Sequence, residues 1–459
     1  MNLKYKAILD PGFQPMELVL RDYEARVRAG ASQRLEIAVE RNKGYCERFA
    51  LDILPDGADD ELSCAVMERY VKTLLWVYGG WKIYVSGSRT IYEFLHAAYQ
   101  KGGLREFDVW FMSRVYERPF EVVWVENPAD MPETRRSASA VGRHLGGCRI
   151  GFDAGGSDRK VSAVIDGESV YSEEVVWHPK TQSDPEYHYQ GIKEAFRTAA
   201  SKLPRVDGIG VSTAGVLIDN RVMVASLFVK VSDEDFERRV KNIYLDVAKE
   251  LGENIPIEVA NDGDVTALAG AMDLGDNAVL GIAMGTSEAG GYVDGNGNIT
   301  GWLNELAFVP VDFNREAMVD EWSGDYGCGV KYFSQDSVNK LAPASGIEVD
   351  PDMTPAEKLK VVQKLMAEGD PRAVKVYESI GVYFGYAIAY YARFYDIRHV
   401  LIMGRVTSGE GGVILLDRAR EVLRGEFPEL AAKMELSIPD ESSRRVGQSV
   451  AAASLPDIG

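Results

Sequence analysis

The hydrophobic pattern changes character about a third of the way along the chain. Before residue 145, residues 21–54 and 59–76 carry apolar positions at helical spacing, the first among many arginines and glutamates. Residues 81–85 read as a short strand, 91–99 as a helix, and the aromatic run 107–125 as one or two strands. Residues 127–139, with two prolines and mixed charge, read as a linker. From Cys148 onward, short apolar runs alternate with helical stretches. The runs at 148–152, 161–165, 170–176, 208–212, 257–260, 278–284 and 399–403 predict strands. Residues 191–202 and 265–272 predict helices, as does a long region from 354 to about 394. Strands that alternate with helices and end in glycines indicate an α/β fold. The expected organisation is an N-terminal α/β domain over 1–145 and a larger domain over 146–459. The larger domain divides into a lobe at about 146–262 with the C-terminal helix and a second lobe at about 263–440.

Four of the strand ends carry chemistry. Asp153-Ala154-Gly155-Gly156-Ser157 follows the first strand of the larger domain, with Lys160 at the start of the next. Glycines there let backbone N–H groups approach an anion, and Ser157 adds a hydroxyl donor. A carboxylate such as Asp153 suits Mg²⁺ held through water, because that ion dehydrates reluctantly. A tight hairpin explains the same residues without a ligand. Gly285-Thr286-Ser287-Glu288 is a second glycine loop between strands, and two such loops can hold a polyphosphate. Asn261-Asp262-Gly263-Asp264 joins a strand to a helix. A carboxylate there can accept the proton of an attacking alcohol while the asparagine orients a hydroxyl. A plain helix N-cap is the alternative, with Asp264 as the cap and Asp262 left free. Gly404-Arg405-Val406-Thr407-Ser408 leaves a strand in the manner that suits a purine and ribose.

Composition narrows the partners. The 459 residues exceed what one hydrophobic core supports, so several domains are expected. No apolar run is long enough to span a bilayer, the N-terminus lacks a signal-peptide pattern, and the four cysteines are scattered. A cytoplasmic location without a membrane partner is the expectation. Residues 1–150 carry 21 of the 51 basic and 21 of the 70 acidic residues, so the net charge of −19 lies wholly beyond them. A duplex-binding face needs clustered positive charge. Nucleic acid is therefore not expected as a partner.

In their order, these segments resemble the ROK family of sugar kinases and sugar-responsive repressors, within the hexokinase/actin/Hsp70 superfamily. The first turn is similar to D-x-G-G-T, with Ser157 for threonine. Gly208-Ile-Gly-Val-Ser-Thr-Ala-Gly215 is similar to G-I-G-x-P-G, Asn261-Asp262 to N-D-A, and residues 285–291 to G-T-G-I-G-G-G. Asn304-Glu305-Leu306 stands where the family has its sugar-binding glutamate, and residues 404–408 match its adenosine loop. The resemblance implies a two-lobed, actin-like (ribonuclease H-like) α/β fold with an added N-terminal α/β domain. It implies ATP- and Mg²⁺-dependent phosphorylation of a sugar hydroxyl, so ATP and a small sugar are the expected partners. Asp262 would be the general base, and Asn261, Asn304 and Glu305 would hold the sugar. Asp153, Gly155, Gly156, Ser157, Lys160, Gly285, Thr286, Ser287, Gly404 and Arg405 would hold the nucleotide, with Mg²⁺ at Asp153 through water.

The sequence also departs from the family. Ala307-Phe308 stand where a zinc-binding histidine is usual, and Cys328 alone remains of a cysteine cluster. One sulfur cannot build a four-ligand site, so no structural zinc is expected. The customary sugar-touching asparagine is replaced near Ser226, and Glu288 puts a carboxylate inside a phosphate loop. A catalytically inactive sugar- or nucleotide-binding regulator is the alternative that these changes imply. The N-terminal domain receives no functional assignment; covering the site and mediating a homodimer are both open to it. Its loop Ser86-Gly87-Ser88-Arg89 reads as an anion site or as an ordinary N-cap.

Overall fold

Two-residue alternation, not helical spacing, governs the stretch after the first helix. The computed structural model describes residues 3–137, 140–439 and 441–459. Helix Met16–Arg28 is followed by the antiparallel strands β1 (Gln33–Glu40) and β2 (Cys46–Ile53). Residues 21–54 are therefore not one helix. Leu35, Ile37 and Val39 are fully buried on one face of β1, a repeat that a strand satisfies and a helix does not. Beyond helix Asp60–Tyr78 come β3 (Lys82–Ser86), helix Arg89–Ala98, helix Glu106–Tyr116 and β4 (Glu121–Trp124). The run 107–125 is thus mostly helix rather than strand. Phe111, Met112, Val115 and Tyr116 form its buried stripe, and that helical spacing outweighs the strand preference of aromatic residues. The sheet order is β2-β1-β3-β4.

One compact unit comprises the described residues within Ala138–Gly281, Gly291–Gly301 and Pro439–Gly459. Its strands are β5 (Cys148–Ala154), β6 (Asp158–Ile165), β7 (Glu168–Val176) and β8 (Gly208–Thr213). The hairpin β9 (Val216–Ile218) and β10 (Arg221–Val224) and then β11 (Ile257–Asn261) follow. The main sheet is ordered β11-β8-β5-β6-β7, with β11, β8 and β5 parallel and β6 and β7 antiparallel. Phe152, Ile209 and Val211 are buried with Ile192 and Phe196 of helix Pro185–Ala200, each such side chain contributing about 1.5–3 kcal/mol. Helix Glu441–Ala453 crosses β5 and β8 where Gly151 pairs with Gly210. A Cβ on either glycine would collide with the carbonyl of Ser449 or Ala452, so only glycine lets the helix lie that close.

The second unit comprises the described residues within Met1–Ser137, Ile282–Gly290 and Trp302–Ile438. Strands β12 (Val279–Met284), β13 (Glu288–Val293), β14 (His399–Met403) and β15 (Glu435–Ser437) form a sheet ordered β13-β12-β14-β15. The long helical region is two helices, Pro355–Ala367 and Pro371–Tyr391, each with proline in its first turn. The second is buried nearly all round, including Tyr377, Tyr383, Tyr386, Tyr390 and Tyr391. The N-terminal segment is tied into this unit by polar contacts. Asp10 accepts from Tyr383 Oη at 2.6 Å and pairs with Lys340. Arg393 donates to Glu17 at 2.5 and 2.9 Å and to Glu24 at 2.6 Å. Among the described residues, no helix is long and apolar enough to cross a membrane.

Candidate functional site

Three parallel strands set the first group of candidate residues side by side. The β5–β8 register pairs Asp153 with Ser212, and the β8–β11 register pairs Ser212 with Ala260, one residue before Asn261 and two before Asp262. Parallel strands end on the same edge, so these residues share it. Asp153 is 7% exposed and its Oδ1 accepts from Ser212 Oγ at 2.8 Å and from Gln448 Nε2 at 3.4 Å. Burial raises its carboxyl to about 6; the Ser212 hydrogen bond opposes this and the Asp262 charge adds to it. One accepting oxygen is engaged and the group is screened from bulk solvent, an arrangement that suits Mg²⁺ retaining most of its waters. Among the described residues, no group of three or more His, Cys, Asp or Glu side chains could hold a metal directly.

Asp262 opens helix Asp262–Leu274 and is half-buried. Burial raises its carboxyl above the usual aspartate range, opposed by the Gly263 N–H and by the Lys180 charge. The N-cap is not Asp264. Asn261 Oδ1 accepts from Gly263 N–H at 2.7 Å, and Asn261 Nδ2 donates to the Gly215 carbonyl at 2.8 Å. Asp264 is buried and accepts from Tyr292 N–H at 3.0 Å, because the first turn of the helix lies against residues 291–292 of the same unit. Asp262 also accepts from Gly263 N–H at 3.0 Å. Lys160 faces Asp153 across β5 and β6 but pairs with Asp158 at 3.3 Å, and Ser157 Oγ donates to Asp158 at 3.1 Å.

The remaining candidates belong to the other unit. Gly285 N–H closes the β12–β13 turn on Ser287 O at 2.9 Å. Gln335, the first residue of helix Gln335–Ala344, donates its N–H to Gly285 O at 2.9 Å and its amide to Thr286 Oγ1 at 3.4 Å. Glu288 begins β13 and is 4% exposed, with neither carboxylate oxygen hydrogen-bonded. Burial drives its carboxyl well above the usual range, and Glu305 adds to this. Gly404 holds φ 99° directly beneath the Met284 carbonyl, where a Cβ would collide. Gln363 Nε2 donates to Arg405 O at 2.7 Å, beside a cavity of about 260 Å³ lined by Tyr377, Met366 and residues 408–411.

Asn304 and Glu305 are positioned by helix Asp60–Tyr78. Their N–H groups donate to the carbonyls of Val77 and Trp76, each at 3.0 Å, in the last turn of helix Asp60–Tyr78. Asn304, at φ 53°, accepts from Tyr395 Oη at 2.9 Å. Trp76 packs on Phe308 with ring centroids 4.2 Å apart. One and two turns earlier, Lys72 and Arg69 reach Asp325, three residues before Cys328. One helix thus grips both segments at which the family resemblance places zinc ligands. At the other N-terminal candidate, the start of helix Arg89–Ala98 is filled internally. Asp56 accepts from Ser88 Oγ at 2.6 Å and from Arg89 N–H at 3.1 Å, and Ser88 caps the helix through Ile91 N–H.

Lys180, Gln448 and Gln335 carry no motif in the sequence, and Ser212 lies inside the glycine-rich segment 208–215.

The model of the ROK family matches residues 149–449. No curated protein matches the chain. Among solved structures, a ROK hexokinase from Thermus thermophilus is similar at 20% identity, with a TM-score of 0.51 over 67% of this chain and 97% of that one. A ROK family transcriptional regulator, a homolog of the E. coli MLC protein, is similar at 19% identity, with a TM-score of 0.54 over 68% of this chain and 79% of that one. These likenesses establish the fold, to which residues before the matched region are an addition.

Proposed function

Since the chain belongs to the ROK family, we propose that it is a cytoplasmic kinase that moves the terminal phosphoryl group of Mg-ATP to a sugar hydroxyl. One observation carries the reading: the Asp153, Ser212 and Asp262 positions line one edge of three parallel strands, both carboxyls are raised by burial, and the Asp262 charge adds to the rise at Asp153. Phosphoryl transfer asks for positioning and charge neutralisation more than for covalent help. In this reading Asp262 takes the proton of the attacking hydroxyl, while Asn261, Asn304 and Glu305 orient the sugar. Gly155, Gly156, Ser157, Lys160, Gly285, Thr286 and Ser287 serve the phosphates, and Gly404 and Arg405 the nucleoside. Asp153 holds Mg²⁺ through water, and the ion offsets charge on the phosphates.

A regulator that binds sugar or nucleotide without catalysis is the second reading. The unpartnered Glu288 in a phosphate turn favours it, as does the likeness to an MLC-type transcriptional regulator. An ADP-release screen with Mg-ATP over monosaccharides and amino sugars separates the two. Turnover confined to one sugar class supports the kinase. Silence across the panel with clear nucleotide binding leaves the regulator.

A further inference from the structure

Lys160, the lysine nearest the first glycine turn in sequence, is engaged with Asp158 at 3.3 Å, and its neighbour Arg159 pairs with Glu194 at 2.5 Å. The cation that leans over the turn comes from 24 residues after Gly156 in the same compact unit. Lys180 Nζ lies 3.3 Å, and its Cε 3.1 Å, from the point where a Cβ on Gly156 would stand. Gly156 has no side chain, so the ammonium rests over bare backbone. No hydrogen bond or ion pair to another described residue engages that ammonium, whereas most neighbouring cations are paired. Lys180 is also the charged side chain that acts on Asp262.

The segment carrying Lys180 is built onto the turn. Trp177, 3% exposed, donates its indole N–H to Gly155 O at 2.8 Å and its backbone N–H to Ser157 O at 3.1 Å. The short helix Pro179–Thr181 follows, with the Pro179 carbonyl 3.0 Å from His188 Nε2 and Thr181 Oγ1 bonded to His178 O at 2.9 Å. The backbone at Lys180 is therefore fixed relative to Gly155 and Gly156, and the flexible stem places one unpaired positive charge over Gly156. A lysine ammonium is a compact point charge suited to phosphate oxygens.

We infer that Lys180 is a phosphate-binding residue that neutralises the terminal phosphates of the nucleotide at the Gly155–Gly156 turn. This rests on the kinase reading for the same site. The test uses the full chain and its Lys180→Met and Lys180→Arg variants, titrated calorimetrically with a non-hydrolysable ATP analogue and with adenosine. A charge-assisted contact of this kind corresponds to a loss of about tenfold to a hundredfold. Lys180→Met is expected to weaken the ATP analogue by that factor and leave adenosine unchanged, and Lys180→Arg to recover most of the loss. An unchanged ATP-analogue affinity in Lys180→Met, with wild-type binding intact, overturns this inference alone. Equal losses for adenosine and the analogue also overturn it, since they mean a structural role. A wild-type chain that binds neither ligand overturns it together with the kinase reading.

Discussion

Replacing Asp325 with asparagine removes the one anion that three buried cations share. Arg69 reaches Asp325 at 2.6 and 3.0 Å, Lys72 at 2.6 Å and Arg105 at 2.8 Å, and none of the four side chains is more than 5% exposed. Glu68 and Asp108 remain nearby, so the variant has three cations against two anions. Leaving a buried charge without its partner costs about 3–5 kcal/mol. Burial alone would raise the Asp325 carboxyl, yet Lys72, Arg69 and Arg105 hold it well below the usual range. A depressed folded-state pKa stabilises above the unfolded value and is lost as pH falls through the folded one. The contribution is therefore complete at neutral pH and persists into strong acid. Denaturant unfolding of wild type and Asp325→Asn at pH 7.5, followed by tryptophan fluorescence, measures it. Because the same helix holds the Asn304 and Glu305 backbone, the KM for sugar should rise as well. A stability loss below about 1 kcal/mol, the range of exposed ion pairs, would refute the reasoning.

Two further outcomes follow from the raised carboxyls. With burial lifting Asp262 and holding Asp153 at about 6, kcat/KM should fall as pH drops below neutral, and a profile flat down to pH 4.5 contradicts an ionised aspartate base. Glu288→Met should raise the melting temperature more at pH 8 than at pH 5. A raised folded-state pKa makes wild type lose stability as pH climbs past the unfolded value, and the variant lacks that penalty; an equal shift at both pH values argues against it.

Much of the α/β architecture was legible because its strands are short apolar runs closed by glycines, as at Cys148–Ala154 and His399–Met403. The stretch 33–53 misled because glutamates and arginines between apolar residues satisfy helical and alternating spacing at once. Only pairing such as Ile37 with Phe49 decides between them. At the candidate site, Asp153 and Asp262 stood out as carboxylates at strand ends. Gln448, 295 residues from Asp153, had no local signal. Lys180 had none either, because it follows no glycine motif and reaches the turn only through the Trp177 anchor. The hold of helix Asp60–Tyr78 on Asn304 and Glu305 runs through backbone carbonyls, which leave no trace in side-chain identity. The expected cap at Asp264 failed for a tertiary reason, its bond to Tyr292 N–H.

The claim that Asp262 is the base of a sugar kinase is tested most directly by Asp262→Asn, assayed for ADP release with the best sugar and for affinity toward a non-hydrolysable ATP analogue. The account predicts turnover lower by about a hundredfold or more, with the analogue bound as tightly as by wild type. Turnover within tenfold of wild type would contradict it.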